Sequence, residues 1–347
     1  MIKKTLGIDA LDVSELCLGS MTWGTQNSKS EAFEQIDMAL DHNVNFIDTA
    51  EMYPVNPLSK ETQGNSEKII GEWLRESKRR DDLVIATKVS GKGYQAVRNG
   101  DEISKKSIKI AVENSLKNLN TDYIDLYQLH WPNRGSYMFR QNWTFDPSNQ
   151  VTDETLTHFL EVLEAVDQLI LQGKIRHFGL SNESAWGAAT WIKISEKFNL
   201  PRVISIQNEY SLLCRLFDTD LAELCHHEKI GLLAFSPIAA GLLSGKYQNG
   251  EVPEGSRMSI VNNLGGRVSR NVFKATAAYL EISQRFGIDP CQMALAFCRT
   301  RSFMGSIIVG ATKNTQLKNA LGSCSLQLSQ EILEEIDKAH RQYPMPY

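Results

Sequence analysis

Short apolar segments alternate regularly with amphipathic segments along this chain. The segments that we predict as strands are Leu16–Leu18, Asn45–Asp48, Leu83–Lys88, Ile124–His130, Ile175–Leu180, Val203–Gln207, Gly231–Phe235 and Ser306–Val309. The segments that we predict as helices are Ser30–His42, Ser66–Ser77, Ser104–Leu119, Asp153–Leu171, Ala185–Phe198, Asp218–His227, Asn271–Phe286 and Thr315–Leu321. Strand-length apolar runs followed by helical periodicity are typical of βα units. Because the series contains no linker and no second core, it favours an α/β fold: a single parallel (β/α)8 TIM barrel domain over residues 1–347.

Two segments lie outside this repeat. We predict that Ile2–Ile8 and Val13–Glu15 pair as an N-terminal β-hairpin that closes the bottom of the barrel, and that Ser329–Arg341 forms an extra C-terminal helix. Asn65 and Ser104 are predicted N-caps, since short polar side chains are favoured immediately before a helix.

Charge and composition exclude several classes of function. The chain has 37 Lys and Arg against 41 Asp and Glu, spread along its length, so no basic stripe indicates binding to nucleic acid or to an anionic membrane. The first residues lack a signal-peptide core, and no window reaches the roughly 18 apolar residues of a membrane span. We therefore expect a soluble, cytoplasmic protein. The six cysteines form no C-x-x-C pair, so we expect reduced core thiols and no metal site.

Polar residues gather at the ends of the predicted strands, which is where (β/α)8 barrels carry their active sites. The residues at or just after these ends are Asp48, Tyr53, Lys88, His130, Ser181, Asn182 and Gln207. Taken singly, each has a structural explanation, such as a solvated strand end, a core imidazole or a loop cap. Taken together at one rim they favour function, because stability has little use for so many convergent polar groups.

Four of these residues, Asp48, Tyr53, Lys88 and His130, could together form a site that donates a proton. A tyrosine phenol, with a pKa of about 10, is a poor acid at neutral pH until a nearby cation stabilises its phenolate. Lys88 can supply that cation, Asp48 can hold Lys88, and His130 can orient a carbonyl group. The set therefore predicts a carbonyl-reducing enzyme with Tyr53 as the acid.

The chain also carries an ordered series of short motifs. They are Leu18–Gly24, Phe46–Tyr53, Gly64–Glu67, Ala86–Lys88, Asp122–His130, Gly173–Arg176, Gly179–Asn182, Ile206–Asn208 and Gly241–Tyr247. Any one of them is a weak signal, but the ordered series covers nearly the whole chain. It resembles the aldo-keto reductases, and within them the Tas-like branch related to potassium-channel β subunits.

The resemblance implies a reaction and a role for each catalytic residue. It implies NADP(H)-dependent hydride transfer to an aldehyde or ketone, with Tyr53 donating a proton, Lys88 lowering its pKa, Asp48 pairing with Lys88 and His130 binding the carbonyl oxygen. Channel β subunits can depart at the histidine position, so the retention of His130 favours turnover. A nicotinamide-binding redox sensor or regulatory subunit with little turnover remains open. A third class, a Schiff-base enzyme using Lys88, is opposed by Asp48, which disfavours a neutral lysine.

The cofactor residues are likewise assigned by resemblance. No Gly-x-Gly-x-x-Gly follows a strand, so a Rossmann domain is not supported, and the resemblance implies NADP(H) extended across the barrel mouth. Ser181, Asn182 and Gln207 would bind the nicotinamide carboxamide, whose donor and acceptor such side chains can match. Phe235 would stack on the ring, although ordinary core packing is the alternative for it.

The assignments at the phosphate end are less complete. Ser236, Leu243, Ser244 and Lys246 resemble a pyrophosphate loop, and Arg257 would reach the adenosine 2′-phosphate. Gly310, Thr312 and Gln316 resemble a second phosphate and ribose segment, with Lys313 as an added cation. The sequence departs from the common pattern at Thr312, Asn319 and Ala320, and solvated loop charge is the alternative for Arg257 and Lys313.

The substrate would be a small-molecule carbonyl compound bound among aromatic side chains. The aromatic segment Trp131–Phe145 follows His130, and Trp23, Tyr53 and Trp131 are expected to line the pocket, with Trp23 also touching the cofactor. The alternative is that several of these aromatics only anchor the long loop. The sequence leaves the oligomeric state open.

Overall fold

Eight parallel strands close into a barrel in the computed structural model, which describes residues 1–8 and 10–347. The barrel strands are β3 (Leu16–Gly19), β4 (Phe46–Asp48), β5 (Val84–Val89), β6 (Ile124–Leu129), β7 (Ile175–Ser181), β8 (Val203–Glu209), β9 (Gly231–Phe235) and β10 (Met304–Val309). They pair in sequence order, and β10 returns to β3 to complete the circle. The predicted (β/α)8 barrel is confirmed, and each predicted strand overlaps an observed one.

Helices pack around this barrel. They are α1 (Lys29–Asp41), α2 (Asn65–Ser77), α3 (Lys105–Leu119), α4 (Thr152–Leu171), α5 (Ala185–Phe198), α6 (Asp220–Glu228), α7 (Arg257–Ile260), α8 (Arg270–Arg285), α9 (Pro290–Arg299), α10 (Asn314–Gly322) and α11 (Gln330–Gln342). The sequence prediction missed α7 and α9, which both lie between β9 and β10. The predicted C-terminal helix is present as α11. Among the described residues, no helix has the length and apolar composition needed to cross a bilayer.

An antiparallel hairpin closes one end of the barrel. It consists of β1 (Lys3–Leu6), which is shorter than the predicted Ile2–Ile8, and β2 (Leu11–Ser14), which begins two residues before the predicted Val13–Glu15. Leu6 and Val13 are fully buried and pack in one cluster with inward-facing side chains of the barrel strands. The hairpin therefore confirms the predicted plug, and it leaves the opposite end of the barrel for chemistry.

The alternation of side chains along each strand places the polar residues at that open end. Phe46, Ala86 and Leu126 lie on three neighbouring strands and belong to the inner cluster, and Ala86 pairs directly with Leu126. Since side chains on a strand alternate between its two faces, the residues two positions further on also point inward. These residues are Asp48, Lys88 and Gln128. A layer of polar side chains thus lies directly above the apolar interior of the barrel.

The helix caps follow the sequence with one correction. Ser104 caps α3 as predicted, accepting a hydrogen bond from the backbone N–H of Ser107. Asn65, however, is the first residue of α2, and Gly64 is its N-cap with φ of 75°. A side chain at Gly64 would meet Asn118 Nδ2 at 2.9 Å, in addition to the strain of a positive φ, so glycine suits this position.

Candidate active site

A buried ion pair lies at the centre of the polar layer. Lys88 Nζ is 2.7 Å from Asp48 Oδ2 and also donates to the backbone oxygen of Thr49 at 2.6 Å. The Lys88 side chain has no exposed surface, and that of Asp48 is only 3% exposed. Because a buried charge is costly without a partner, each of these residues requires the other.

Two glutamine side chains hold the second oxygen of Asp48. Gln207 Nε2 donates to Asp48 Oδ1 at 2.7 Å and to Gln128 Oε1 at 3.2 Å, and Gln128 Nε2 lies 3.4 Å from Asp48 Oδ1. Both amide hydrogens of Gln207 therefore have acceptors, which leaves its Oε1 for a ligand, and its role in binding the nicotinamide carboxamide stays a prediction. The sequence analysis did not name Gln128 as a site residue. Because Gln128 lies two residues before His130 on the same predicted strand, its side chain is expected on the same inward face.

Tyr53 and His130 lie against this pair. Lys88 Nζ is 4.8 Å from the centroid of the Tyr53 ring. The centroids of the Tyr53 and His130 rings are 5.8 Å apart, and the rings are nearly perpendicular at 77°. The structure thus brings together the four residues that the sequence assigned to the proton-donating site.

Burial and charge set the protonation states in this cluster. Burial disfavours the charged form of Lys88, but Asp48 and Tyr53 outweigh it and raise the pKa of the ammonium, which remains charged. Burial raises the pKa of Tyr53, and the nearby charge of Lys88 only partly opposes that rise. Burial and the Lys88 charge hold the pKa of His130 well below its ordinary value. The site therefore presents a protonated phenol, a cation and a neutral imidazole.

The expected fall in the Tyr53 pKa is thus not the net result in this structure. Lys88 acts in the expected direction, but removing the phenolate from water has the larger effect. A phenol that stays protonated is still the form that a proton donor needs at the start of a reduction.

Several buried polar atoms around the site lack a partner among the described residues. They include His130 Nδ1, Asn182 Oδ1 and Arg257 Nε. Asn182 is held by its other amide atom, since Nδ2 donates to the His130 backbone oxygen at 2.8 Å, and Ser181 Oγ donates to the Gln207 backbone oxygen at 2.8 Å. Unsatisfied groups are rare inside proteins, so these atoms indicate a place for a polar ligand.

An arginine from the long β9–α8 connection completes the rim. Arg257 Nη1 lies 4.0 Å from Met21 Sδ, and its charge acts on the Tyr53 phenol. Burial and the like charge of Arg267 lower the pKa of Arg257 to about 10. Because the described residues offer Arg257 no carboxylate within ion-pair distance, the mouth carries a cation suited to an anionic ligand.

Comparison with known proteins identifies the family. A sequence model described as the Aldo/keto reductase family matches residues 15–341. The chain belongs to this family. It is 42% identical over 343 residues to Protein tas of Escherichia coli (strain K12), a match that covers 97% of both chains. It is 34% identical over 278 residues to an aldo-keto reductase of Babesia bovis, covering 76% of this chain and 98% of that one.

A third relative is described as a subunit of a channel. The chain is 30% identical over 355 residues to a probable voltage-gated potassium channel subunit beta of Arabidopsis thaliana, covering 98% of this chain and 97% of that protein. The predicted resemblance to the Tas-like branch is therefore confirmed. As an aldo/keto reductase the protein is an oxidoreductase, and members of this family use nicotinamide cofactors.

The structure corrects the place of Trp23. Its side chain is completely buried in the hydrophobic core, and its indole Nε1 donates to Gln35 Oε1 of α1 at 2.9 Å. The chain turns back after β3, so that Trp23 points toward the helices and not into the mouth. The assignment of Trp23 to the cofactor and the substrate pocket is wrong for this conformation. Met21, two residues earlier, lies at the mouth instead.

Trp131 lies beside His130. It is half-buried, with its ring centroid 5.0 Å from that of His130 and 6.3 Å from that of Phe139. Its indole Nε1 donates to the Lys92 backbone oxygen at 3.2 Å, which anchors the ring. Trp131 therefore both borders the site and pins its loop, combining the two alternatives that the sequence left open.

The remaining residues that the family resemblance assigns to the cofactor lie on the rim. Phe235 is half-buried at the end of β9 and packs against the inner cluster. Leu243 is buried, and Ser244 Oγ donates to the Gly241 backbone oxygen at 2.8 Å. Gln316 Oε1 accepts a hydrogen bond from the Thr312 backbone at 3.0 Å. Further rim residues are Ser236 at the start of the β9–α8 connection, half-buried Lys246 and exposed Gly310.

Proposed function

We propose that the protein is an NADP(H)-dependent reductase that converts an aldehyde or ketone to an alcohol. The observation that carries this proposal is the buried Asp48–Lys88 pair beneath Tyr53, with a neutral His130 at its side. Family membership supports the oxidoreductase class, and this arrangement supports the direction of reduction, which needs a protonated acid at the carbonyl oxygen.

The proposed proton chemistry uses each of the four residues. Tyr53 donates its proton to the carbonyl oxygen as negative charge develops there, and Lys88 stabilises the phenolate that is left. Asp48 holds Lys88 in place, and Gln207 and Gln128 hold Asp48. His130, being neutral, offers a hydrogen bond to the carbonyl oxygen without adding a second positive charge next to Lys88.

The unsatisfied atoms of the site fit a nicotinamide cofactor. Asn182 Oδ1 and Gln207 Oε1 are acceptors for a carboxamide N–H, and Phe235 offers an aromatic face at the end of β9. Arg257 and Lys246 are cations for its phosphates. The reduced nicotinamide, when bound, supplies the hydride. Because Arg257 lies near Tyr53, we assign it to a phosphate of the cofactor without specifying the adenosine 2′-phosphate.

The substrate would bind between the aromatic loop and the catalytic residues. Trp131 borders His130 and is in edge-to-face contact with Phe139. Such a border favours apolar or aromatic aldehydes and ketones, since aromatic side chains bury large apolar area.

Oxidation of NADPH and of NADH with aromatic aldehydes, ketones and quinones tests the proposal. We expect wild-type protein to oxidise NADPH with at least one of them, and the Tyr53→Phe variant to bind NADPH with an affinity within a fewfold of wild type while turning over about 100-fold more slowly or worse. Turnover that is unchanged in the variant would contradict the assignment of Tyr53.

A second candidate function is that of a nicotinamide-binding redox sensor. The observation that favours it is the similarity to the potassium channel subunit beta over nearly the whole chain. Tight NADPH binding with negligible turnover on every carbonyl compound tested would favour this function over the reductase.

A further inference from the structure

Glu209 joins three segments that are far apart in the sequence. It is the last residue of β8 and is only 7% exposed. Its Oε1 lies 2.7 Å from Arg267 Nε and accepts a hydrogen bond from the Tyr347 hydroxyl at 3.0 Å, while its Oε2 lies 2.8 Å from Arg140 Nη1. One buried carboxylate therefore holds three partners.

Each partner comes from a different element at the mouth. Arg267 belongs to residues 247–269, which we call the covering loop and which precede α8. Arg140 belongs to the aromatic loop, residues 131–145, which follows β6. Tyr347 belongs to the segment that follows α11. Without Glu209, no side chain among the described residues would join these three elements at one point.

The covering loop spans part of the mouth. Near its middle, Arg257 contacts Met21, which follows β3, and near its end Arg267 binds Glu209 on β8. In the barrel β8 and β3 are separated by β9 and β10, so the loop passes over two strand ends. Gly265 lies so close to the aromatic loop that an added side chain would meet Arg140 Nη2 at 3.3 Å. The two loops are therefore in contact at the point where Glu209 holds both.

Electrostatics make this junction dependent on one negative charge. Burial would raise the pKa of Glu209, but Arg267 and Arg140 outweigh it, so the carboxylate remains ionised. The same pairing overcomes the burial of Arg267 and raises its pKa. A neutral side chain at position 209 would leave two arginines close together without their shared counter-ion.

We propose that Glu209 is a positioning residue that latches the covering loop to the aromatic loop, and that opening of this latch sets the rate at which the nicotinamide cofactor enters and leaves. Glu209 acts through Arg267 and Arg140 and takes no part in the reduction itself. The loop closure is a property of the unliganded protein, and only its effect on the cofactor rests on the proposed function.

The first test uses hydrogen exchange of the unliganded protein. In Glu209→Gln we expect amide exchange across residues 247–269 to become about tenfold faster or more, with the barrel strands unchanged. The matched control is Glu15→Gln, which breaks a comparable buried pair at the opposite end of the barrel, where Glu15 Oε2 lies 3.0 Å from Arg299 Nε. Unchanged exchange in Glu209→Gln, or equal loosening of the loop in Glu15→Gln, overturns the latch.

The second test measures NADPH release and binding by stopped-flow fluorescence. Because the latch is closed without ligand, its loss should raise both the association and the dissociation rates, each about tenfold, and change the equilibrium affinity less than either rate. Glu15→Gln should leave both rates within twofold of wild type. Unchanged rates in Glu209→Gln overturn the latch alone, whereas a wild-type protein that binds no nicotinamide cofactor overturns the proposed function and the cofactor role of the latch together.

A milder variant covers the case in which Glu209→Gln does not fold. Arg267→Met removes only one of the two arginine pairs, so Glu209 keeps Arg140 as its counter-ion while the covering loop loses its attachment to Glu209. Exchange across residues 247–269 that rises at least twofold supports the latch, and exchange equal to that of wild type overturns it.

Discussion

Lys88 Nζ lies 2.7 Å from Asp48 Oδ2 on neighbouring strands, and both side chains are closed off from solvent. A lysine and an aspartate in this setting are expensive to bury, and their attraction offsets the cost only while both remain. The pair is thus held where stability alone would favour apolar residues. The pair also lies against Tyr53, with Lys88 Nζ 4.8 Å from the centroid of its ring.

Removal of the cation from this pair should be costly. Lys88→Met leaves Asp48 buried without its partner, and we expect the free energy of unfolding to fall by about 3–5 kcal/mol. Urea unfolding followed by circular dichroism measures this change. Lys338→Met is the control, since Lys338 pairs with Glu335 on the exposed surface and its loss should be barely measurable. Equal stability of wild type and Lys88→Met would contradict the assigned partnership.

Trp23 is buried in the core, whereas Trp131 borders His130, so we expect Trp23 to affect stability and Trp131 to affect substrate binding. Trp23→Phe leaves Gln35 Oε1 without its donor in the core, so we expect a loss of about 1–3 kcal/mol in stability, with KM for carbonyl substrates within twofold of wild type. Trp131→Ala, by contrast, should raise KM severalfold. Steady-state kinetics of both variants beside urea unfolding tests this division, which a large KM change in Trp23→Phe would refute.

The low pKa of His130 links stability to pH. The folded protein holds His130 neutral, whereas in the unfolded chain its pKa is about 6.5. As pH falls below about 6.5 the unfolded state takes up a proton that the folded state does not, so the contribution of His130 to stability is present above that pH and declines below it. We expect the melting temperature of His130→Gln to fall less steeply than that of wild type between about pH 6.5 and 5. Parallel curves would indicate that His130 is not held neutral.

The unpaired charge of Arg257 predicts opposite effects on stability and on binding. Arg257→Met removes a half-buried cation to which the described residues offer no counter-ion, so the melting temperature should stay the same or rise. The affinity for NADPH should fall about tenfold or more, because a charged hydrogen bond contributes roughly 1.5–3 kcal/mol. Fluorescence titration measures the affinity. The affinity of Lys313→Met for NADPH is measured for comparison, since Lys313 is exposed and α10 begins directly after it. Equal affinities for wild type and Arg257→Met would indicate that Arg257 is only a solvated loop charge.

The barrel and the position of its candidate catalytic residues could be predicted because both follow from local pattern. Apolar strand segments alternate with helices, and a period of two places Asp48, Lys88 and His130 on the inner face. The same rule reaches Gln128. Helix α9 could also have been predicted from the sequence, because Asp289 followed by Pro290 is a known signal for the start of a helix.

Other features depend on long-range contacts that no local pattern encodes. The turn after β3 decides that Trp23 enters the core, and the acceptor that satisfies it comes from α1. Gln207 is held by Asp48, a residue 159 positions away. The convergence of Arg140, Arg267 and Tyr347 on Glu209 requires three loops to meet in space. Sequence reasoning finds the types of residue in such places but not their partners.

The role of Tyr53 as proton donor is tested most directly by single-turnover reduction of an aromatic aldehyde, with enzyme in excess and NADPH saturating. We expect the rate for Tyr53→Phe to be at least about 100-fold below that of wild type. The control is Tyr279→Phe, which removes a buried hydroxyl bound to the Leu212 backbone oxygen and should leave the rate within twofold. A rate for Tyr53→Phe equal to that of wild type would contradict the assignment of Tyr53 as the acid.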